Sequence, residues 1–186
     1  SNILFNPETK RVQIIDFGIS TELSREQQDV NVANQLEGTR AYISPEQTGR
    51  MNRDLDYRTD YYSLGVTLYE MLTGSRPFEA ADTIGWIHSH IAQIPVPPHK
   101  VEPSIPEAVS NIVLKLMAKN AEDRYQSARG IIRDLTECLR QLEQTGRIEN
   151  FELGQDDVSE KFQIPQRLYG REAEVGKLLA AFDKAA

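Results

Sequence analysis

The order of apolar and polar positions divides the chain into a β-rich opening, a polar stretch and a helical remainder. Ile3-Leu4-Phe5 and Val12 to Ile15 are short apolar runs on either side of the turn formers Asn6-Pro7-Glu8-Thr9-Lys10, which predicts a β-hairpin. From Gly18 to Gln35 the sequence is polar with no apolar period, as expected of a mobile loop. Thr59-Asp60 reads as the cap of a helix running to about Thr73, with Gly74 placed to end it. Tyr61, Tyr62, Leu64, Val66, Leu68, Tyr69, Met71 and Leu72 cover nearly its whole circumference, which predicts a helix in the middle of a domain. Asp82 caps a second helix through about Ala92, stopped by Pro95, Pro97 and Pro98. Ser104 with Glu107 forms a capping box ahead of Val109, Ile112, Val113, Leu116 and Met117, which are spaced for one helix face. Ser127 opens a last helix to about Gln144, with Ile131, Ile132, Leu135, Leu139 and Leu142 as its apolar stripe. Residues 145–164 read as an acidic linker carrying isolated Phe151 and Phe162. After Pro165 another amphipathic helix begins near Glu172, with Val175, Leu178, Leu179 and Phe182 on its apolar face.

Composition narrows the function classes. With 39% hydrophobic and 26% charged residues over 186 positions, the chain can fold one domain with a true core plus a tail. A net charge of −7 argues against a nucleic-acid partner, which selects a basic face. No apolar run approaches the roughly 18–20 residues that span a bilayer. Cys138 is the single cysteine, so neither an internal disulfide nor a thiolate zinc cage can form, in keeping with a reducing cytoplasm. It is expected to be an inert helix residue. His88 and His90 are two apart, which on a helix points them to different faces, so with His99 they read as surface histidines and not as a metal site.

The chemistry lies in motifs taken together. Asp16-Phe17-Gly18 is followed twenty-eight residues later by Ser44-Pro45-Glu46, with Gly38-Thr39 between them. Ser1-Asn2-Ile3-Leu4 precedes the first strand, Asp60-Tyr61-Tyr62-Ser63-Leu64-Gly65 opens the central helix, and Asn120-Ala121-Glu122-Asp123-Arg124-Tyr125 lies before the last one. In this order and spacing, residues 1–144 resemble the C-terminal lobe of a Ser/Thr protein kinase. The resemblance implies a mainly α fold of the α+β protein-kinase kind: a helical bundle with a short β-hairpin that carries the Asp-Phe-Gly segment. It also implies ATP and Mg²⁺ as cofactors and protein Ser/Thr hydroxyls as acceptors. Asn2 and Asp16 are then the oxygen ligands of Mg²⁺, a hard cation that accepts an amide and a carboxylate oxygen. Phe17 packs inward, and Gly18 lets the backbone pivot beside the nucleotide. Thr39, in the substrate-docking loop, positions the catalytic base and the acceptor. Glu46 pairs with Arg124, and Asp60 accepts backbone N–H bonds from the catalytic loop; these three are architectural.

Three departures qualify the resemblance. The Gly-rich loop, the ATP-anchoring lysine and the His-Arg-Asp motif, all N-terminal to these motifs in such kinases, are not among these residues, so the 186-residue piece alone is expected to be inactive. Residues 26–37 contain no Ser, Thr or Tyr, so the loop is expected to be ordered by contacts within a larger protein and not by phosphorylation. The insert Thr48-Gly49-Arg50-Met51-Asn52-Arg53-Asp54 is polar and basic and reads as a solvated loop, with substrate or partner contact as the alternative. Residues 165–186, with Gly170-Arg171-Glu172, resemble the entry of a P-loop ATPase domain. A kinase lobe joined to such a domain is similar to bacterial, especially cyanobacterial, hybrid kinases that continue into sensor and histidine-kinase modules. The expected partners are therefore protein substrates and the downstream domains of the same polypeptide. The alternative is a pseudokinase that acts as a scaffold for those domains.

Overall fold

A computed structural model describes residues 3–15, 40–51, 53 and 55–159. It divides into two compact units, residues 1–30 and 31–186. In the first, β1 (Ile3–Asn6) and β2 (Arg11–Ile14) form an antiparallel hairpin. Its turn is set by Asn6, whose Oδ1 accepts the N–H groups of Glu8 and Thr9, both at 3.0 Å. That Asx arrangement is the reason an asparagine opens the turn. The register pairs Ile3 with Ile14 and Phe5 with Val12. Leu4, Phe5, Val12 and Ile14 are all at least half exposed, and a two-stranded ribbon has little stability of its own.

The second unit is helical: α1 (Arg58–Thr73), α2 (Thr83–Ile91), the single turn α3 (Pro98–Val101), α4 (Glu107–Leu116) and α5 (Ala128–Thr145). The mainly helical architecture with one small antiparallel sheet is the fold class expected from the sequence. Helix α1 is central. Of its eight apolar residues only Met71 is fully exposed, and Gly74 ends it in the left-handed region at φ 71°. Two clusters make the core. Tyr62, Val66, Tyr69, Phe78, Val113 and Met117 form one. Ile112, Leu116, Tyr125, Ile131 and Cys138 form the other. Helices α1 and α4 touch at Gly65, where a Cβ would lie 2.8 Å from both Leu116 Cβ and Met117 Cγ.

The helix starts divide into those the sequence placed and those it did not. Asp82 caps α2 by accepting the Gly85 N–H at 2.7 Å, and Ser127 caps α5 by accepting that of Gly130 at 3.1 Å. Thr59 and Asp60 do not cap α1, which begins at Arg58; the Thr59 hydroxyl instead donates to Glu46. Ser104 does not cap α4 either. Pro106 is extended immediately before Glu107, so the helix starts too late for the box to close, and the Ser104 N–H bonds the Glu102 carboxylate. On α5 the buried edge is Gly130, Ile131, Asp134 and Cys138. Ile132, Leu135, Leu139 and Leu142, the rest of the apolar stripe read from the sequence, are 63%, 41%, 54% and 49% exposed.

Residues 147–159 lie within the stretch expected to be an acidic linker, yet they fold back on the helices. Ile148, Phe151 and Leu153 pack on the second core cluster. The Asp157 carboxylate accepts the Gln126 N–H and the Ser127 hydroxyl, both at 2.7 Å. Buried Asp134 accepts the Tyr125 hydroxyl at 2.6 Å and the Gly154 N–H at 2.8 Å. Ser159 reaches the Tyr57 hydroxyl at 3.2 Å. The acidic residues that made the segment read as solvated are in part its attachment points.

Candidate functional site

The described part of the site is the loop from Arg40 to Thr48 and what holds it. Two short 3-10 turns, Arg40–Tyr42 and Glu46–Thr48, flank buried Ile43, Ser44 and Pro45. Ser44 is fully buried with a hydroxyl to satisfy. Gln47 Oε1 accepts both its N–H, at 2.9 Å, and its Oγ–H, at 3.3 Å. The Thr48 hydroxyl donates to the Pro45 carbonyl at 2.6 Å. The Tyr42 hydroxyl donates to Glu70, and the Tyr42 carbonyl accepts from Ser63 at 2.8 Å, both partners standing on α1. Hydrogen bonding to Glu70 and burial raise the Tyr42 phenol above its ordinary pKa.

Glu46 is the anchor. Its carboxylate meets Arg124 in a two-pronged pair, Nη1–Oε1 at 2.7 Å and Nη2–Oε2 at 2.8 Å, with side-chain exposures of 5% and 0%. The other three Arg124 donor positions go to the carbonyls of Ala118 (2.8 Å), Arg58 (2.9 Å) and Lys119 (3.2 Å). All five guanidinium N–H groups are thereby used, which is the condition under which a buried ion pair is tolerated. Thr59 adds an O–H bond to Glu46 at 2.8 Å, and the guanidinium sits 5.0 Å over the Tyr62 ring. Burial pushes the Glu46 carboxyl upward, but hydrogen bonds and charge from Arg124 more than offset this and hold it below the usual range.

Two groups at this site were not foreseen as part of it. His90, expected on the surface, is fully buried, with Trp86 stacked on it and the Phe78 and Tyr62 rings edge-on. Its Nε2 lies 3.0 Å from the Arg40 carbonyl and its Nδ1 3.0 Å from the Tyr62 hydroxyl. A carbonyl can only accept, so Nε2 carries the proton and Nδ1 accepts from Tyr62. Desolvation lowers the His90 pKa to about 4 despite that backbone bond, so the ring is neutral and ties α2 to the first residue after Gly38-Thr39. Lys119 donates to the Ser89 carbonyl at 3.0 Å and lies 4.5 Å over the Phe78 ring; burial, then the charge of Arg124, bring its pKa to about 8. The cue to His90 was Trp86, four residues earlier on the same face.

The expected site residues divide accordingly. Glu46 and Arg124 are together, as expected. Asp60 stands in the first turn of α1 with no hydrogen-bond partner for its carboxylate among the described residues, and desolvation holds that carboxyl above its ordinary range. Arg53, from the basic insert, is not free for a ligand, because it pairs with Glu122 at 2.8 Å. Asn2, Asp16, Phe17, Gly18 and Thr39 lie outside the described residues. The chain enters and leaves the hairpin at one end, since Ile3 and Ile14 are cross-strand partners. Asn2 precedes Ile3, and Asp16 follows Ile15. No group of three or more metal-binding side chains occurs among the described residues, and none of their helices is long and apolar enough to cross a membrane.

Comparison with known proteins agrees with this arrangement. The family model "Protein kinase domain" matches residues 1–136. The chain is 38% identical over 72% of its length to a probable serine/threonine-protein kinase of Clostridium perfringens, and 36% identical over 73% to the serine/threonine-protein kinase PknB of Mycobacterium tuberculosis. It is 37% identical over 77% of its length to the hybrid signal transduction histidine kinase G of Dictyostelium discoideum. It spans 19%, 21% and 5% of those three proteins, respectively. With the loop of residues 40–48 closed by Glu46 on Arg124 and its sequence matched from the hairpin into the last helix, the chain belongs to the protein kinase domain family.

Proposed function

We propose that the protein of which these residues form part is a serine/threonine kinase that transfers the γ-phosphoryl group of Mg·ATP to Ser or Thr hydroxyls of protein substrates. The observation that carries this reading is the locked segment end: Ser44-Pro45-Glu46 is buried and held by the Glu46–Arg124 pair, and it follows Asp16 by twenty-eight residues along the chain, a spacing that suits an activation segment. The Ser/Thr preference is supported by Thr39 and by the names of the relatives that are 36–38% identical.

Asn2 and Asp16 offer one amide and one carboxylate oxygen, a donor set that suits Mg²⁺ and no softer metal. Bound there, the metal would neutralise charge on the phosphates. This chain's residues supply position, which is most of the catalysis in phosphoryl transfer. Thr39 orients base and acceptor, His90 and Ser63 fix the backbone next to it, and the Glu46 anchor keeps the loop in register. Asp60 is reserved for backbone N–H groups of the catalytic loop. Residues 165–186 open a P-loop ATPase domain, in a cytoplasmic signalling protein whose downstream modules are the lobe's partners. The name of the Dictyostelium relative, a hybrid signal transduction histidine kinase, supports a place in such a polypeptide.

The test is Asp16→Ala in the full-length protein with radiolabelled ATP and a generic Ser/Thr substrate. Phosphorylation should vanish while the circular dichroism spectrum is retained. Transfer at the wild-type rate would sink the assignment, and a wild-type protein with no transfer under any condition would favour the scaffold reading.

A further inference from the structure

The loop of residues 40–48 is supported near its two ends by different parts of the helical unit. His90 of α2 meets the Arg40 carbonyl at 3.0 Å, and Arg124 meets the Glu46 carboxylate at 2.7 Å. These two supports are far apart along the chain, so their spacing is set by what lies between them. Lys119 lies there and touches both sides. Its carbonyl accepts from Arg124 Nη2 at 3.2 Å, and its Nζ donates at 3.0 Å to the carbonyl of Ser89, the neighbour of His90.

The surroundings of Lys119 are poor for a cation. It makes no ion pair among the described residues, and burial, then the charge of Arg124, disfavour the ammonium. What favours it is the Ser89 carbonyl, in the last turn of α2 where a helix is partly negative, and the faces of two rings. Phe78 lies 4.5 Å from the Nζ and Tyr62 5.9 Å. The same two rings stand edge-on to His90, so Lys119 and His90 share one aromatic wall. An apolar chain of equal length would fill the place of Lys119 without loss of stability, since the Ser89 carbonyl also has the Gln93 N–H at 3.2 Å. An apolar chain would not tie the end of α2, which aims the His90 Nε2–H, to the segment that carries Arg124.

We propose that Lys119 is a positioning residue for phosphoryl transfer, spacing His90 from Arg124 and so setting the separation of the two ends of residues 40–48. It acts through His90 on the backbone that follows Gly38-Thr39, on the acceptor side of the reaction. The catalytic consequence rests on the kinase reading; the consequence for the loop does not.

The experiment compares Lys119→Met, Lys119→Arg, His90→Phe and the Lys119→Met/His90→Phe double variant in the full-length protein. Kinetics on a generic Ser/Thr substrate are read beside the melting temperature and the hydrogen exchange of residues 40–43. Lys119→Met should lower kcat/KM for the protein substrate about tenfold with KM for ATP unchanged, because only the acceptor is misplaced. Its melting temperature should stay at or above the wild-type value, the opposite of what a merely structural lysine would give. Exchange at residues 40–43 should rise about tenfold. Lys119→Arg, which keeps the charge and a donor, should recover most of the activity. In the His90→Phe background Lys119→Met should add little, since both act on one contact. Wild-type kcat/KM in Lys119→Met, a loss accompanied by a fall in melting temperature, or additive losses in the double variant each overturn the proposal. If the wild-type protein shows no transfer at all, the kinase reading fails on its own; raised exchange in Lys119→Met then supports the spacing role, and wild-type exchange overturns it.

Discussion

The loop of residues 40–48 and the returning segment of residues 147–159 are both irregular stretches held to the same helical unit by carboxylates, but they are held differently. Glu46 meets a guanidinium with nothing between it and full burial, and every donor on Arg124 is committed. Asp157 and Asp134 meet only neutral donors: two backbone N–H groups, a serine and a tyrosine. An ion pair in a dry site fails all at once when one partner goes, because the survivor is left charged and unsolvated. A set of hydrogen bonds from uncharged donors to a carboxylate fails in steps, of about 1.5–3 kcal/mol each. Residues 40–48 are therefore pinned in an all-or-none manner. The segment that leads out of the lobe is pinned in a graded manner.

The largest test of that contrast is Arg124→Ala, which should destabilise the unit by about 3–5 kcal/mol in urea denaturation, with Arg124→Lys recovering little because one ammonium cannot serve five acceptors. Acid comes next. His90 titrates at about 4 in the folded protein against 6.5 ordinarily. A depressed base gives stability that is whole above pH 6.5 and lost as pH falls toward 4, at most roughly 3 kcal/mol from this group. Glu46, also depressed, adds a further loss below the ordinary carboxylate range. Chemical denaturation between pH 8 and 4 should show stability falling from about pH 6.5 downward, and His90→Phe should flatten the upper part of that fall. Gly130→Ala should cost about 2 kcal/mol. Its Cβ would lie 2.4 Å from the Asp157 carboxylate, and proteolysis within residues 147–159 should rise while cleavage at residues 40–48 does not. Tyr125→Phe, removing one uncharged donor from Asp134, should cost about 1.5 kcal/mol and leave residues 40–48 unaffected. If Tyr125→Phe matched Arg124→Ala in effect, the distinction between the two anchors would be lost.

Local chemistry made part of this legible from the residues. Asn6 in its turn, Asp82 and Ser127 at their helices, Gly74 past the end of α1 and the pairing of Glu46 with Arg124 each depend on a residue type whose geometry or charge admits few alternatives. The capping box at Ser104 failed because Pro106 controls the backbone two residues later.

What sequence periodicity cannot say is which side of a helix meets the core. On α5 the apolar stripe and the buried edge are offset by about a third of a turn, and burial went to the edge where α4, α1 and residues 147–159 converge. Likewise His90 is interior because three aromatic rings and the Arg40 carbonyl happen to enclose it, and the acidic segment is folded because Asp157 meets the Gln126 N–H and the Ser127 hydroxyl just before α5. The residues alone determined the kind of elements, the caps of α2 and α5, and the family. Only the tertiary structure decided which polar groups were desolvated, because desolvation depends on neighbours distant along the chain.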